Sequence, residues 1–306
     1  MMAESAQTIH AELIAVLVAV TRGVPRVLTL ADGSALPEGP LEPTHRSLQA
    51  GLRAWVERQT HHPLGYVEQL YTFADQARSA EARTEGRSIS ISYLGLTREA
   101  APQGAISWQD WYRYFPWEDR RGETKREPTL LEALIRDGLA RWQGHDVTRR
   151  MRVANAFGLD GVAWNEELVL ARYQLLYEAG LVHEAARDGR AAHGALVSGT
   201  PMVADHRRIL ATAISRLRAK IKYRPVVFEL LTESFSLFDL QRCVEALAGQ
   251  RMHKSNFRLV MESQNLLEET GKFTSGPGRP AKLFRFREAI RAERDITDTR
   301  LPMVRT

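Results

Sequence analysis

The chain holds one cysteine, Cys243, in 306 residues. A lone thiol excludes an internal disulfide and any Cys-rich zinc site. It suits a reducing compartment, so a cytoplasmic location is expected. Long apolar runs are missing too. The longest, residues 13–20, falls far short of the ~20 residues that span a bilayer, and His10 and Glu12 stand where an export signal carries basic residues. No membrane partner is expected. The apolar share of 44% and charged share of 26% exclude a wholly disordered or fibrous chain. The length favours two folded units, and a formal net charge of +5 leans towards an acidic partner such as nucleic acid.

What is present reads first as alternating strand and helix signals. Two β-branched runs across residues 11–30 flank Thr21-Arg22-Gly23, the pattern of a hairpin. A Pro- and Gly-rich loop, residues 36–43, leads into residues 47–59, where Leu48, Leu52, Trp55 and Val56 recur at helical spacing. Residues 66–73 and 87–97 read as strands around a polar loop, 75–86. Aromatics gather between Trp108 and Phe115, with Trp117 close behind, as a buried patch or a stacking surface; burial is the preferred reading. Helices are predicted over 129–142 and 165–179, the second ended by Gly180, then a Gly- and Ala-rich loop over 188–199. Asp205 stands as N-cap of a helix over 207–221.

The C-terminal part gives the sharper pattern. Pro225 opens a first helical stretch to Leu231. Ser236 caps a second helix, 237–248, with Leu240, Val244 and Leu247 in one stripe and Gly249 at its end. A third, 254–264, turns Phe257, Val260 and Met261 inward and leaves Lys254, Ser255, Asn256 and Arg258 outward. Residues 266–270 and 282–286 read as hairpin strands around a rigid, exposed loop containing Gly276-Pro-Gly-Arg-Pro280. Three helices followed by a basic hairpin form a winged helix-turn-helix pattern. Lys254, Ser255, Asn256 and Arg258 are candidates for base edges or phosphates in the major groove, and Lys272, Arg279 and Lys282 for contacts from the wing.

The segments GYVEQLYTFAD and RSISISYLGLT after the hairpin, loop and helix, together with HKSNFR and SGPGRPAKLFRF, resemble the Nudix-related transcriptional regulators of NAD metabolism, the NrtR/NadQ type, and the length is nearer the longer NadQ form. The resemblance implies an α+β chain: an N-terminal Nudix-like α/β/α domain, residues 1–221, with an inserted helical segment at about 101–200, then a winged helix-turn-helix domain with a C-terminal tail, residues 222–306. The Nudix hydrolase motif places Arg-Glu and Glu-Glu pairs on the helix after the glycine loop. Here those positions hold Ala54-Trp55 and Arg58-Gln59. Without the carboxylates that hold divalent cations and orient water, no catalytic residues are expected. His61-His62 have no supporting ligands in sequence, so no metal site is expected.

The resemblance implies a homodimeric repressor of NAD biosynthesis genes, bound to a palindromic operator in double-stranded DNA. The effector would be an adenine-containing nucleotide such as NAD, ADP-ribose or ATP, with no cofactor. Arg46, Arg53, Arg58, Arg83 and Arg87 are candidate phosphate contacts in the Nudix-like cleft. Two rival readings stay open: an active nucleotide pyrophosphatase, and an interaction scaffold that binds no DNA.

Overall fold

The computed structural model describes residues 9–60, 64, 66–73, 87–99, 106–122, 129–221, 226–274 and 280–287. The expected loop at 75–86, the pair His61-His62, and Arg83, Pro225 and Arg279 lie outside the described residues.

The first half is a mixed sheet. Strand β1 (Ile9–Thr21) turns through Arg22 and Gly23, both at positive φ, into β2 (Val24–Thr29). Such a turn matches the right-handed twist of the strands it joins. A short β3 (Glu38–Pro40) follows, then helix α1 (Leu48–Thr60), β4 (Tyr66–Phe73), β5 (Arg87–Leu96) and β6 (Ser107–Asp110). The strand order is β4-β5-β1-β2-β6, with β1 and β5 parallel and β3 paired to β1. β1 is apolar on both faces because both are covered. Leu13, Ala15 and Leu17 pack with Leu52 and Val56 of α1, whereas Ile14, Val16 and Val18 join a larger core on the opposite face. The expected loop at 36–43 thus contains a strand.

The larger core is supplied by the helices that follow: α2 (Leu130–Gln143), α3 (Val147–Phe157), α4 (Val169–Glu178), α5 (His183–Arg187) and the long α6 (His206–Ile221). Thr129 and Glu132 close a capping box at the start of α2, satisfying amides that the first turn would otherwise leave unpaired. α6 lies on β4, β1 and β5, making the second outer layer of the α/β/α sandwich, and α4 packs on α6. The aromatic cluster is interior: Trp111, Tyr112, Tyr114, Phe115 and Trp117 are buried.

The C-terminal part holds β7 (Phe235–Ser236), α7 (Leu237–Ala248), α8 (Lys254–Ser263), β8 (Leu267–Phe273) and β9 (Lys282–Phe286), with the strands ordered β7-β9-β8. The first expected helix is instead a five-residue 3-10 turn, Val226–Leu230. Its Val226, Val227 and Leu230 still fill the core, so the apolar pattern was set by burial and not by α-helical period. No helix among the described residues is long and apolar enough to cross a membrane.

Candidate functional site

α8 is presented by a small, well-packed frame. Ser236 and Asp239 cap α7 reciprocally, and Leu240, Val244 and Leu247 are fully buried. Gln241 and Glu245 then fix the turn into α8. Gln241 Nε2 donates to the Met252 carbonyl at 3.1 Å, and the Met252 amide donates to Glu245 Oε1 at 3.0 Å. Phe257 and Met261, one turn apart, anchor α8 in the core, and Val260 is half-buried.

That anchoring dictates what faces out. Lys254, Ser255, Asn256 and Arg258 are all exposed, as expected. At about 100° per residue, Ser255 and Leu259 fall opposite the buried pair while Asn256 and Arg258 lie on its two flanks. Leu259 is 66% exposed at the centre of this face. The sequence reading missed it, although a leucine half a turn out of phase with Phe257 and Met261 was the available signal. The N-cap, His253, makes no side-chain cap hydrogen bond, so first-turn amides remain open to an anion such as phosphate.

The wing is β8-β9. Lys272 is exposed near its tip, and Lys282 is paired with Glu269 across the strands at 2.8 Å. Both partners of that pair are more than half exposed, and such surface pairs contribute about 0–1 kcal/mol, so a phosphate can displace the carboxylate at little cost.

Helix α1 carries Trp55, Arg58 and Gln59 where the resemblance would place acids. Trp55 Nε1 donates to the Pro40 carbonyl at 2.8 Å, and Gln59 Nε2 to the Glu38 carbonyl at 2.8 Å. Trp55 lies so close over Gly39 that any Cβ there would collide with the indole. Arg58 stacks on Trp55 at 4.2 Å and pairs with Glu42 at 3.7 Å. These three side chains clamp β3 and the chain beyond it. From the other side, the Leu36 amide donates to His206 Nδ1 at 2.9 Å, leaving Nε2 to donate to Glu38 at 2.9 Å. Glu57 is exposed, and no cluster of three or more His, Cys, Asp or Glu that could hold a metal is found among the described residues.

Of the candidate phosphate contacts, Arg46 is exposed just before α1, Arg53 donates to the Leu64 carbonyl, and Arg58 is engaged as above. Arg87 opens β5 opposite Ile9, and its side chain lies outside the described residues. The three described side chains sit along one helix and its lead-in.

The two halves meet through buried charge. Glu118, fully buried, accepts from Arg172 at 2.5 and 2.8 Å and from Arg218 Nη1 at 2.6 Å. Arg218 Nε continues to the Leu247 carbonyl at 2.8 Å, Tyr112 donates to the Ala246 carbonyl at 2.7 Å, and the Arg120 amide donates to Gly249 at 2.8 Å. Burial alone would raise the Glu118 pKa, but Arg172 and Arg218 outweigh it and hold the carboxyl below its ordinary range.

A Nudix-like sandwich carrying a winged helix-turn-helix defines the class: the chain has the architecture of a Nudix-related, NrtR-type protein. The family model described as the NrtR DNA-binding winged helix domain matches residues 227–286. The chain is 34% identical over 82 residues to an ADPR responsive transcriptional repressor, NtrR, of Acinetobacter baylyi. That match covers 27% of this chain and 33% of the relative, so the chain spans about a third of the curated relative it matches. Shewanella oneidensis NrtR, solved with a 27mer DNA, shares the fold at 19% identity and a TM-score of 0.57, covering 96% of this chain and 99% of that one. A MutT/nudix family protein from Enterococcus faecalis does so at 16% identity and 0.51, covering 94% and 90%.

Proposed function

We propose that the chain is a homodimeric, DNA-binding transcriptional repressor of NAD biosynthesis genes, with an adenine-containing nucleotide as effector. The observation that carries this reading is the outward face of α8, where Ser255 and Leu259 lie between Asn256 and Arg258 on a domain matched by the NrtR winged helix family. Asn can pair bidentately with adenine and Arg with guanine, and a leucine suits the thymine methyl. Lys272, Arg279 and Lys282 supply phosphate affinity from the wing. One winged helix covers a short half-site, so two-fold symmetry fits a palindromic operator.

ADP-ribose is the first effector to test, since the matched relative is described as ADPR responsive; NAD and ATP are the alternatives. Its place would be the Nudix-like domain, with Arg46, Arg53, Arg58, Arg83 and Arg87 as candidate contacts. The domain acts as a sensor and not as a hydrolase, because Trp55, Arg58 and Gln59 serve the β3 clamp. A nucleotide can move the DNA equilibrium only by binding the free and DNA-bound arrangements unequally. Fluorescence anisotropy of DNA from upstream of the chain's own gene, titrated at fixed salt with and without each nucleotide, tests this. A shift in DNA affinity with one of them is expected; unchanged affinity with all three at saturation would refute the coupling.

A further inference from the structure

We propose that the helices between β6 and α6 hold a ligand site of their own, a cleft for the ring of a small aromatic carboxylate. The cleft lies between the 3-10 turn Pro116–Glu118, α2 and the connection from α3 to α4. Trp117, Ile135, Leu139 and Trp164 wall it, and Arg120 and Arg136 stand with them. Its volume of about 80 Å³ is well below the ~300–1,000 Å³ of pockets that enclose drug-sized ligands. A single ring is the size that fits this volume.

The chemistry of the walls narrows the ligand. Ile135, Leu139 and Trp117 are at most 6% exposed and supply the apolar surface. Trp164 is held by two guanidiniums, Arg172 at 3.9 Å and Arg120 at 4.2 Å from its ring centre, so it is a fixed wall and not a mobile flap. The Trp117 indole N–H is buried and meets no acceptor, a condition native proteins rarely leave without a partner.

Charge selects the substituent. Arg136 is exposed and makes no ion pair or hydrogen bond among the described residues. The one carboxylate that also lines the cleft, Glu132, accepts from the Thr129 amide at 2.6 Å and so is committed to the N-terminus of α2. An anionic substituent on the ring is matched by Arg136, and a cationic one is opposed.

The test is ligand-observed saturation-transfer NMR on the full chain with benzoate, neutral benzamide and cationic benzylamine. It reads binding to the free protein and does not depend on whether the chain binds DNA. Saturable binding in the order benzoate, benzamide, benzylamine is expected. Arg136→Gln should weaken benzoate about tenfold and leave benzamide unchanged, as removal of one charge-assisted contact requires. Leu159→Trp, at a half-buried lining position, should abolish binding of both while the thermal unfolding midpoint stays near that of the parent. Absence of saturable benzoate binding, equal affinity for benzoate and benzylamine, or an Arg136→Gln variant that binds benzoate like the parent would overturn the proposal.

Discussion

Arg218, near the end of α6, donates to the Leu247 carbonyl at the end of α7 at 2.8 Å while its other arm holds Glu118. The orientation of the winged helix on the sandwich is thus tied to a buried ionic network. Arg172, Arg218 and Glu118 are all at most 1% exposed.

Breaking that network by removing one member should be severe. Glu118→Gln leaves two guanidiniums buried without a counterion, and the expected loss is about 3–5 kcal/mol in urea unfolding. The pH dependence follows in sign. Because the folded state holds the Glu118 carboxyl below its ordinary 4.5, the unfolded chain binds the proton more readily. The contribution is complete above the ordinary carboxylate range and lost as pH falls below it towards the folded value. Stability of the parent should therefore drop more steeply below about pH 5 than that of Glu118→Gln; parallel curves would contradict this.

Gly249 closes the same junction from the other side. It sits at φ +72° after α7, and a Cβ there would press on the Glu118 carbonyl and the Tyr112 hydroxyl. Gly249→Ala combines left-handed strain with a clash, for which a loss of about 2–4 kcal/mol is expected, beyond the ~1 kcal/mol of the backbone strain alone. Chemical denaturation measures it, and a loss under 1 kcal/mol would show that the junction yields.

These junction residues mark where sequence reading stopped. The hairpin, α1, β4, β5, α7 and β9 were legible because apolar period and caps agree with the structure at each. α3 was not: of Val147–Phe157 only Val153, Ala154 and Ala156 are buried, and Val147 and Met151 are exposed, so no stripe marks it. Nothing in the local sequence marks Glu118, Arg172, Arg207 and Arg218 as buried. Their ion-pair partners lie 23–100 positions away, which no local pattern reports. The exposed face of α8 was legible because Phe257 and Met261 fix its phase, but Leu259 was not, because a leucine carries no charge or polar group that marks it as part of a site.

Returning acids to α1 should not create a hydrolase. Trp55→Glu, Arg58→Glu and Gln59→Glu together remove the indole and amide that hold the Pro40 and Glu38 carbonyls, so stability should fall by about 1–3 kcal/mol. Magnesium-dependent release of AMP from ADP-ribose should stay at background in both parent and variant. Turnover by the parent would refute the sensor reading.

Cys243 should be chemically silent in the native chain. Burial pushes its thiol up to about 12, leaving almost no thiolate at neutral pH. A disulfide reagent at pH 8 should label it only in denaturant. Rapid labelling of the native chain would mean that α7 opens readily.

That α8 reads DNA is the claim most directly open to measurement. Anisotropy titrations of operator and random duplexes at two salt concentrations, with the parent, Asn256→Ala, Arg258→Ala and Lys272→Ala, decide it. Asn256→Ala and Arg258→Ala should each lose about 1–3 kcal/mol of discrimination between the two duplexes, whereas Lys272→Ala should weaken both alike and flatten the salt dependence. If all three folded variants bind operator as the parent does, α8 and the wing are not the DNA surface and the claim fails.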